Sequence, residues 1–191
     1  MEKRNIIIVT DGDDVARSVV EHATVNIGGR CISLSAGNPT MLSGEEILAL
    51  IKIAKHDPVV IMVDDRGNKG KGKGEKALEE VIQSDTVRIM GVIAVASNGK
   101  DKCGMEVDFS IDKNGSKIEN AVDKYGNGLD IKLISGDTVS ILKKYKAYIP
   151  IVIGIGDPGK MDKKDDISIG APITTLALKE MTKLSVSKVK K

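Results

Sequence analysis

The sequence predicts an α/β fold, a three-layer sandwich built on a mostly parallel sheet. Short runs rich in isoleucine and valine, such as 5–10 and 59–63, alternate with segments whose apolar residues recur at helical spacing. Continuous apolar runs are typical of strands that are buried on both faces. Regular alternation of strands and helices is typical of parallel sheets, because each right-handed crossover lays a helix against the sheet.

The first hundred residues are predicted to run βαβαβαβ. The opening strand, 5–10, is followed by a helix whose apolar residues fall within 16–23 and which ends at Gly28-Gly29, since glycine commonly ends helices. Residues 43–46, Ser-Gly-Glu-Glu, have the spacing of a capping box and predict the start of a second helix. The other elements predicted in this half are strands at 31–34, 59–63 and 88–96 and a third helix around 77–82.

The second half of the chain is less regular. Strands are predicted at 107–111, 131–134 and 150–156. Asp137 is expected to cap a short helix that runs through Tyr145, and Pro172 to open the last helix, since proline fits the first helical position. We therefore expect a single domain over 1–191, in which 1–100 form the regular core, 101–191 add strands and helices to it, and a basic tail starts at about residue 183.

The length, composition and charge of the chain and the spacing of its cysteines exclude several functional classes. At 191 residues and 20.4 kDa the chain has the size of one domain. Aromatic residues make up only 2%, so a stacking surface for single-stranded nucleic acid is not expected. The net charge of +2 is too small to indicate a polyanionic partner. No apolar run approaches the roughly 18 residues of a membrane span, no secretory signal is evident, and Cys31 and Cys103 lack the spacing of a zinc site.

Acidic residues follow three of the predicted strands, at 10–14, 64–67 and 156–159. In an open parallel sheet, ligands bind beyond the carboxyl ends of the strands. If the first and third strands are neighbours, Asp11 and Asp64 or Asp65 project into one crevice, and gathered carboxylates suit a hard cation, Mg²⁺ or Ca²⁺. The alternative is structural, because an Asp after a strand often caps the next helix or forms a turn.

A second candidate site is the loop that alternates glycine with lysine at 67–74. Closely spaced glycine amides can cradle an anion, so Gly67, Lys69, Lys71 and Lys73 are the predicted anion-binding residues. The loop lacks the G-x-x-x-x-G-K-[ST] pattern of a P-loop, and a charged, solvated loop is the structural alternative. Residues 154–159 fit G-x-G-x-x-G only literally, and no nucleophile elbow is present.

Several of these motifs, taken together, resemble the stage V sporulation protein AE family of endospore-forming bacteria. The motifs are IIIVTDGDDVAR at 6–17, VVIMVDDRGNKGKGKGEKAL at 59–78, VIAVASNG at 92–99, VDFSIDKNG at 107–115, AVDKYGN at 121–127, IGIGDPGKMD at 153–162 and GAPIT at 170–174. The resemblance implies a protein encoded with the SpoVA group, which moves calcium dipicolinate into the forespore and releases it at germination. It also implies a place at the spore inner membrane, a role in nutrient-triggered germination and no enzymatic activity.

The implied partners are SpoVA or other germination proteins at the inner membrane. A further contact with anionic lipid is expected through the basic tail, which contains Lys183, Lys188, Lys190 and Lys191. No nucleic-acid partner is expected under this hypothesis.

The layout of the strand-end acids is also similar to the Toprim fold, in which a Glu and a DxD motif hold Mg²⁺. The expected architecture is therefore Rossmann-like or Toprim-like. Here the Glu position is Asp11, and the acids Asp64 and Asp65 are adjacent, so that on an extended strand they point to opposite faces. A Mg²⁺-dependent nuclease or phosphotransferase of Toprim type is the alternative function, and a nucleotide-binding switch is a weaker one.

Overall fold

The fold is organised by a seven-stranded sheet. A computed structural model describes residues 3–65, 72–97, 104–136 and 138–189. The strands are β1 (Arg4–Val9), β2 (Arg30–Cys31), β3 (Val59–Met62), β4 (Val87–Val95), β5 (Met105–Glu106), β6 (Phe109–Ile111), β7 (Lys117–Ile118), β8 (Leu133–Ile134) and β9 (Val152–Ile155). The α-helices are α1 (Asp14–Asn26), α2 (Gly44–Ile53), α3 (Lys73–Gln83), α4 (Val139–Leu142) and α5 (Pro172–Val189).

The strand order of the large sheet is β2-β3-β1-β4-β9-β6-β7. Its strands pair in parallel, except that β7 is antiparallel to β6. A separate antiparallel ribbon joins β5 to β8. From β1 the chain first goes to the edge strand β2, returns to β3 beside β1, and then crosses to β4 on the other side of β1. The strand order therefore reverses between β1 and β4, and the predicted mostly parallel α/β sandwich is confirmed.

Side chains of the central strand β1 alternate between two apolar layers. Ile6 and Ile8 pack in a layer with helices α2, α3 and α4, whereas Ile7 and Val9 pack in a layer with α1 and α5. All four side chains are fully buried. This alternation explains why the strand reads as an uninterrupted apolar run: neither of its faces contacts water.

The first helices begin where the sequence predicts. Asp13 caps α1, with its Oδ1 accepting a hydrogen bond from the Ala16 amide at 2.9 Å. The capping box of α2 is complete, because Ser43 Oγ accepts from the Glu46 amide while the Glu46 carboxylate accepts from the Ser43 amide. Gly28, just beyond α1, has a φ of 73°, a left-handed conformation that favours glycine.

The last helix is held by a carboxylate that the sequence did not point to. Asp165 is fully buried, and its Oδ1 accepts hydrogen bonds from the amides of Ile173 at 2.8 Å and Thr174 at 3.0 Å. These are amides of the first helical turn, which have no partner within the helix. Pro172 occupies the first helical position as predicted. Among the helices of the described residues, none is long and apolar enough to span a bilayer.

Several strands are shorter than the sequence suggested, among them those predicted at 131–134 and 150–156, which are observed as Leu133–Ile134 and Val152–Ile155. The predicted strand at 31–34 ends after Cys31, and a 3₁₀ turn follows at Ser33–Ser35. Of the predicted strand at 107–111, only Phe109–Ile111 is a regular strand. At Asp108 the backbone amide donates to the Val152 carbonyl at 2.8 Å, and the carboxylate accepts from the Val152 amide at 2.7 Å. The predicted cap Asp137 lies outside the described residues. The helix after it ends at Leu142 and continues as 3₁₀ turns through Tyr148.

Candidate functional site

A polar crevice opens at the carboxyl ends of β1 and β4, where the strand order reverses. Ligands of open parallel sheets bind at such reversal points. The crevice has a volume of about 140 Å³ and brings together acids that follow three different strands. Its lining residues are Thr10, Asp11, Asp13, Asn38, Asp64, Val95, Ala96, Ser97, Thr138 and Asp157.

Asp11 occupies the second position after β1, and its carboxylate is turned towards the backbone of the following turn. Its Oδ1 accepts hydrogen bonds from the amides of Gly12 at 2.6 Å and Asp13 at 3.3 Å. Burial, reinforced by the charges of Asp13 and Asp157, raises the pKa of Asp11 to about 7. A glycine is required at position 12, because a Cβ there would lie 2.4 Å from the carbonyl oxygen of Gly37.

Lys160 forms ion pairs with two of the acids of the crevice. Lys160 Nζ lies 2.6 Å from Asp13 Oδ2 and 3.0 Å from Asp157 Oδ2. Burial alone would raise the pKa of Asp13, but the Ala16 amide and Lys160 hold it below the ordinary value. At Asp157 burial prevails over the contact with Lys160 and raises the pKa. The site therefore combines carboxylates that differ in how readily they ionise.

The two adjacent acids after β3 point in different directions. Asp64 lines the crevice with Asp11, and its Oδ1 accepts from the Asp65 amide at 2.7 Å. Asp65 faces the start of α3, where its Oδ1 accepts from the Gly74 amide at 3.3 Å. A Cβ at Gly72 would lie 2.1 Å from both carboxylate oxygens of Asp65. Of the three acids predicted to hold a metal, the structure therefore gathers Asp11 and Asp64 in the crevice and directs Asp65 to a helix.

The predicted anion site is described only in part. Gly67, Lys69 and Lys71 lie outside the described residues. Lys73 is the first residue of α3, is exposed, and does not line the crevice. Anion binding by this loop stays a prediction.

A cation in the crevice would find oxygen ligands, which Mg²⁺ and Ca²⁺ prefer. The residues that line it include the carboxylates Asp11, Asp64 and Asp157 and the hydroxyl of Thr138. As they stand, however, no three His, Cys, Asp or Glu side chains within the described ranges are grouped to hold a metal ion. Binding therefore requires movement of side chains, above all of Lys160.

Asp157, Lys160 and Thr138 were not predicted as site residues. The acidic segment at 156–159 was noticed as a strand-end cluster, but its contact with the β1 acids depends on β9 lying beside β4. Lys160 follows Asp157 at a spacing of three, which is compatible with an ion pair. No sequence pattern indicates that this lysine also reaches Asp13, 147 positions away along the chain.

Asp11→Asn should change the dependence of stability on pH. The folded chain keeps the Asp11 proton up to a pKa of about 7, whereas the ordinary value is 3.8. Unfolding therefore releases a proton between these values, and the wild type loses stability as pH rises through that window. We expect Asp11→Asn, which cannot ionise, to be more stable than the wild type above pH 7 by at most about 4 kcal/mol, since the shift spans about three pKa units and each corresponds to about 1.4 kcal/mol.

Urea unfolding in EDTA across about pH 4.5 to 8 measures this difference. The stability difference between Asp11→Asn and the wild type should shrink towards the acidic end of this pH range, because the wild-type Asp11 carboxyl is then neutral as well. Asp14→Asn is the matched control, since it removes a carboxylate that is 89% exposed and lies close by in the sequence, at the start of α1. An advantage of Asp11→Asn that is equal at both ends of the range would contradict the assignment.

The comparisons with known proteins identify a family. The family model of Stage V sporulation protein AE1 matches residues 5–185, a range that includes every element of the large sheet except the first residue of β1. No curated protein and no solved structure is significantly similar to the chain. Because the family match covers nearly the whole chain, including the acids of the crevice, the chain belongs to the Stage V sporulation protein AE1 family and is a sporulation-related protein.

Proposed function

We propose that this chain is a non-enzymatic accessory protein of spore germination, peripheral at the spore inner membrane and working through contacts with SpoVA or other germination proteins. The family match over 5–185 is the observation that carries the proposal. The acidic crevice is its binding site for a divalent cation. A cation there would couple the ionic state of the spore interior to the surface that meets the partner.

The crevice supports cation binding through its charge and its position. Four carboxylates, Asp11, Asp13, Asp64 and Asp157, line a pocket of about 140 Å³. Lys160 is the cation that pairs with two of them. Burial is the main cause of the raised pKa of Asp11, and the charges of Asp13 and Asp157 add to it. This second contribution reflects a negative potential that would also attract a cation.

A Mg²⁺-dependent nuclease or phosphotransferase is the second candidate function. Such an enzyme needs Asp64 and Asp65 to bind the same metal ion. Because Asp65 is oriented towards Gly74, the structure favours the accessory function instead. We expect no cleavage of plasmid DNA or RNA by the purified chain in Mg²⁺ or Mn²⁺. Cleavage that disappears in an Asp64→Asn/Asp65→Asn variant would favour the enzyme, whereas cleavage that persists in the variant is contamination.

Calorimetric titration with Mg²⁺ and Ca²⁺ tests the cation site. We expect saturable binding by the wild type, with a dissociation constant of roughly 0.1–1 mM for a site with few carboxylates and no dedicated loop. Asp11→Asn/Asp64→Asn should abolish it, because both variants remove charged oxygen ligands from the crevice wall.

Two controls locate the ion. Asp14→Asn removes an exposed carboxylate next to the crevice and should bind as the wild type does. Asp65→Asn should also bind, since Asp65 faces α3. If Asp65→Asn loses binding while circular dichroism shows that the fold is retained, the cation site must instead be assigned to the α3 side of Asp65.

Spores test the germination role directly. A strain lacking this chain should germinate more slowly with nutrients, and the wild-type chain should restore the rate while Asp11→Asn/Asp64→Asn does not. The chain should fractionate with the inner membrane and be released by high salt, because contacts between lysines and anionic lipid are screened by ions. Normal germination of the deletion strain, or recovery of the chain only in the soluble fraction, would contradict the proposal.

A further inference from the structure

The acidic crevice already holds a positive charge of its own. The ammonium of Lys160 contacts Asp13 Oδ2 at 2.6 Å and Asp157 Oδ2 at 3.0 Å. Two carboxylates joined through one cation are the arrangement in which a divalent ion would also be placed. An ammonium and a metal ion in the same place repel each other and overlap, so only one of them can occupy it.

A hydroxyl in the crevice has no partner. Thr138 lines the crevice and is only 1% exposed. Its Oγ1 has no hydrogen-bond partner among the described residues, and the same holds for the buried Oδ1 of Asp157. Buried polar atoms in native structures are normally paired, and those that are not point to a missing water, ion or ligand. Both atoms are oxygens, the ligand type that hard divalent cations take.

The lysine is free to leave without unfolding the site. Its side chain is 47% exposed, compared with 32% for Asp13 and 23% for Asp157. A long, half-exposed lysine can turn its charged end into water by side-chain rotation. The carboxylates it would leave behind are more buried than the lysine is, so they are the groups that require a replacement charge.

We propose that Lys160 is a tethered competitor for the divalent cation of the crevice, so that Ca²⁺ or Mg²⁺ enters only as Lys160 withdraws from Asp13 and Asp157. This rests on the cation binding put forward as part of the proposed function. Cation binding then changes the surface charge of the protein, because each cation that enters moves the Lys160 charge from the crevice to the surface. The affinity of the site is also set low by the competitor, which suits a response to large changes in cation concentration.

Competition predicts a specific pattern of affinities. Lys160→Gln removes the competing charge, so the variant should bind Ca²⁺ at least tenfold more tightly than the wild type in calorimetry at constant ionic strength. Lys160→Arg keeps a cation and should stay close to the wild type. Lys163→Gln is the matched control, because it removes the same charge from an exposed site three residues away, and it should change the affinity less than twofold.

Accessibility of the lysine provides a second measurement, on the wild type itself. Lys160 should react faster with an amine-directed reagent when Ca²⁺ is present, as followed by mass spectrometry, while Lys163 should not change. A rate for Lys160 that is unaffected by saturating Ca²⁺ would overturn the proposal without depending on any variant.

The outcomes separate this inference from the proposed function. Equal affinities of the wild type and Lys160→Gln would overturn the competition and leave cation binding standing. Absence of binding in both would overturn both statements. Binding by Lys160→Gln alone would support the competition and contradict cation binding by the wild type.

Discussion

Burial of β1 on both faces is the constraint on which the rest of the structure depends. Ile6 and Ile8 require α2 and α3 on one face, and Ile7 and Val9 require α1 and α5 on the other. With β1 central and β3 and β4 on its two sides, the chain must cross over in opposite directions. The crevice follows from that reversal, because the helices on either side diverge at the carboxyl ends of β1 and β4.

The crevice concentrates negative charge that the fold has to neutralise. Asp11 and Asp13 follow β1 and Asp157 follows β9, with β4 between the two strands. Burial, together with the charges of Asp13 and Asp157, raises the pKa of Asp11 to about 7. Lys160 offsets part of this charge through two short contacts.

Adjacent carboxylates at the end of β3 show how the same residue type serves two roles. Asp64 contributes its charge to the crevice, while Asp65 binds the amide of Gly74 at the start of α3. Metal binding by Asp64 stays a prediction, whereas Asp65 makes the helix-start contact of the structural hypothesis. The division follows from extended backbone, in which successive side chains point to opposite sides.

The sequence by itself determined the α/β class, most element positions and the acids at the strand ends, because periodicity, capping boxes and helix-ending glycines act over a few residues. The sequence could also assign Asp11 and either Asp64 or Asp65 to one crevice, once the first and third strands were assumed to be neighbours. Only the tertiary structure decided that Asp157 and Lys160 join them and that Asp65 does not. Those contacts depend on β9 pairing with β4 and on side-chain direction, and neither the pairing of distant strands nor the reach of Lys160 to Asp13 leaves a local pattern in the chain.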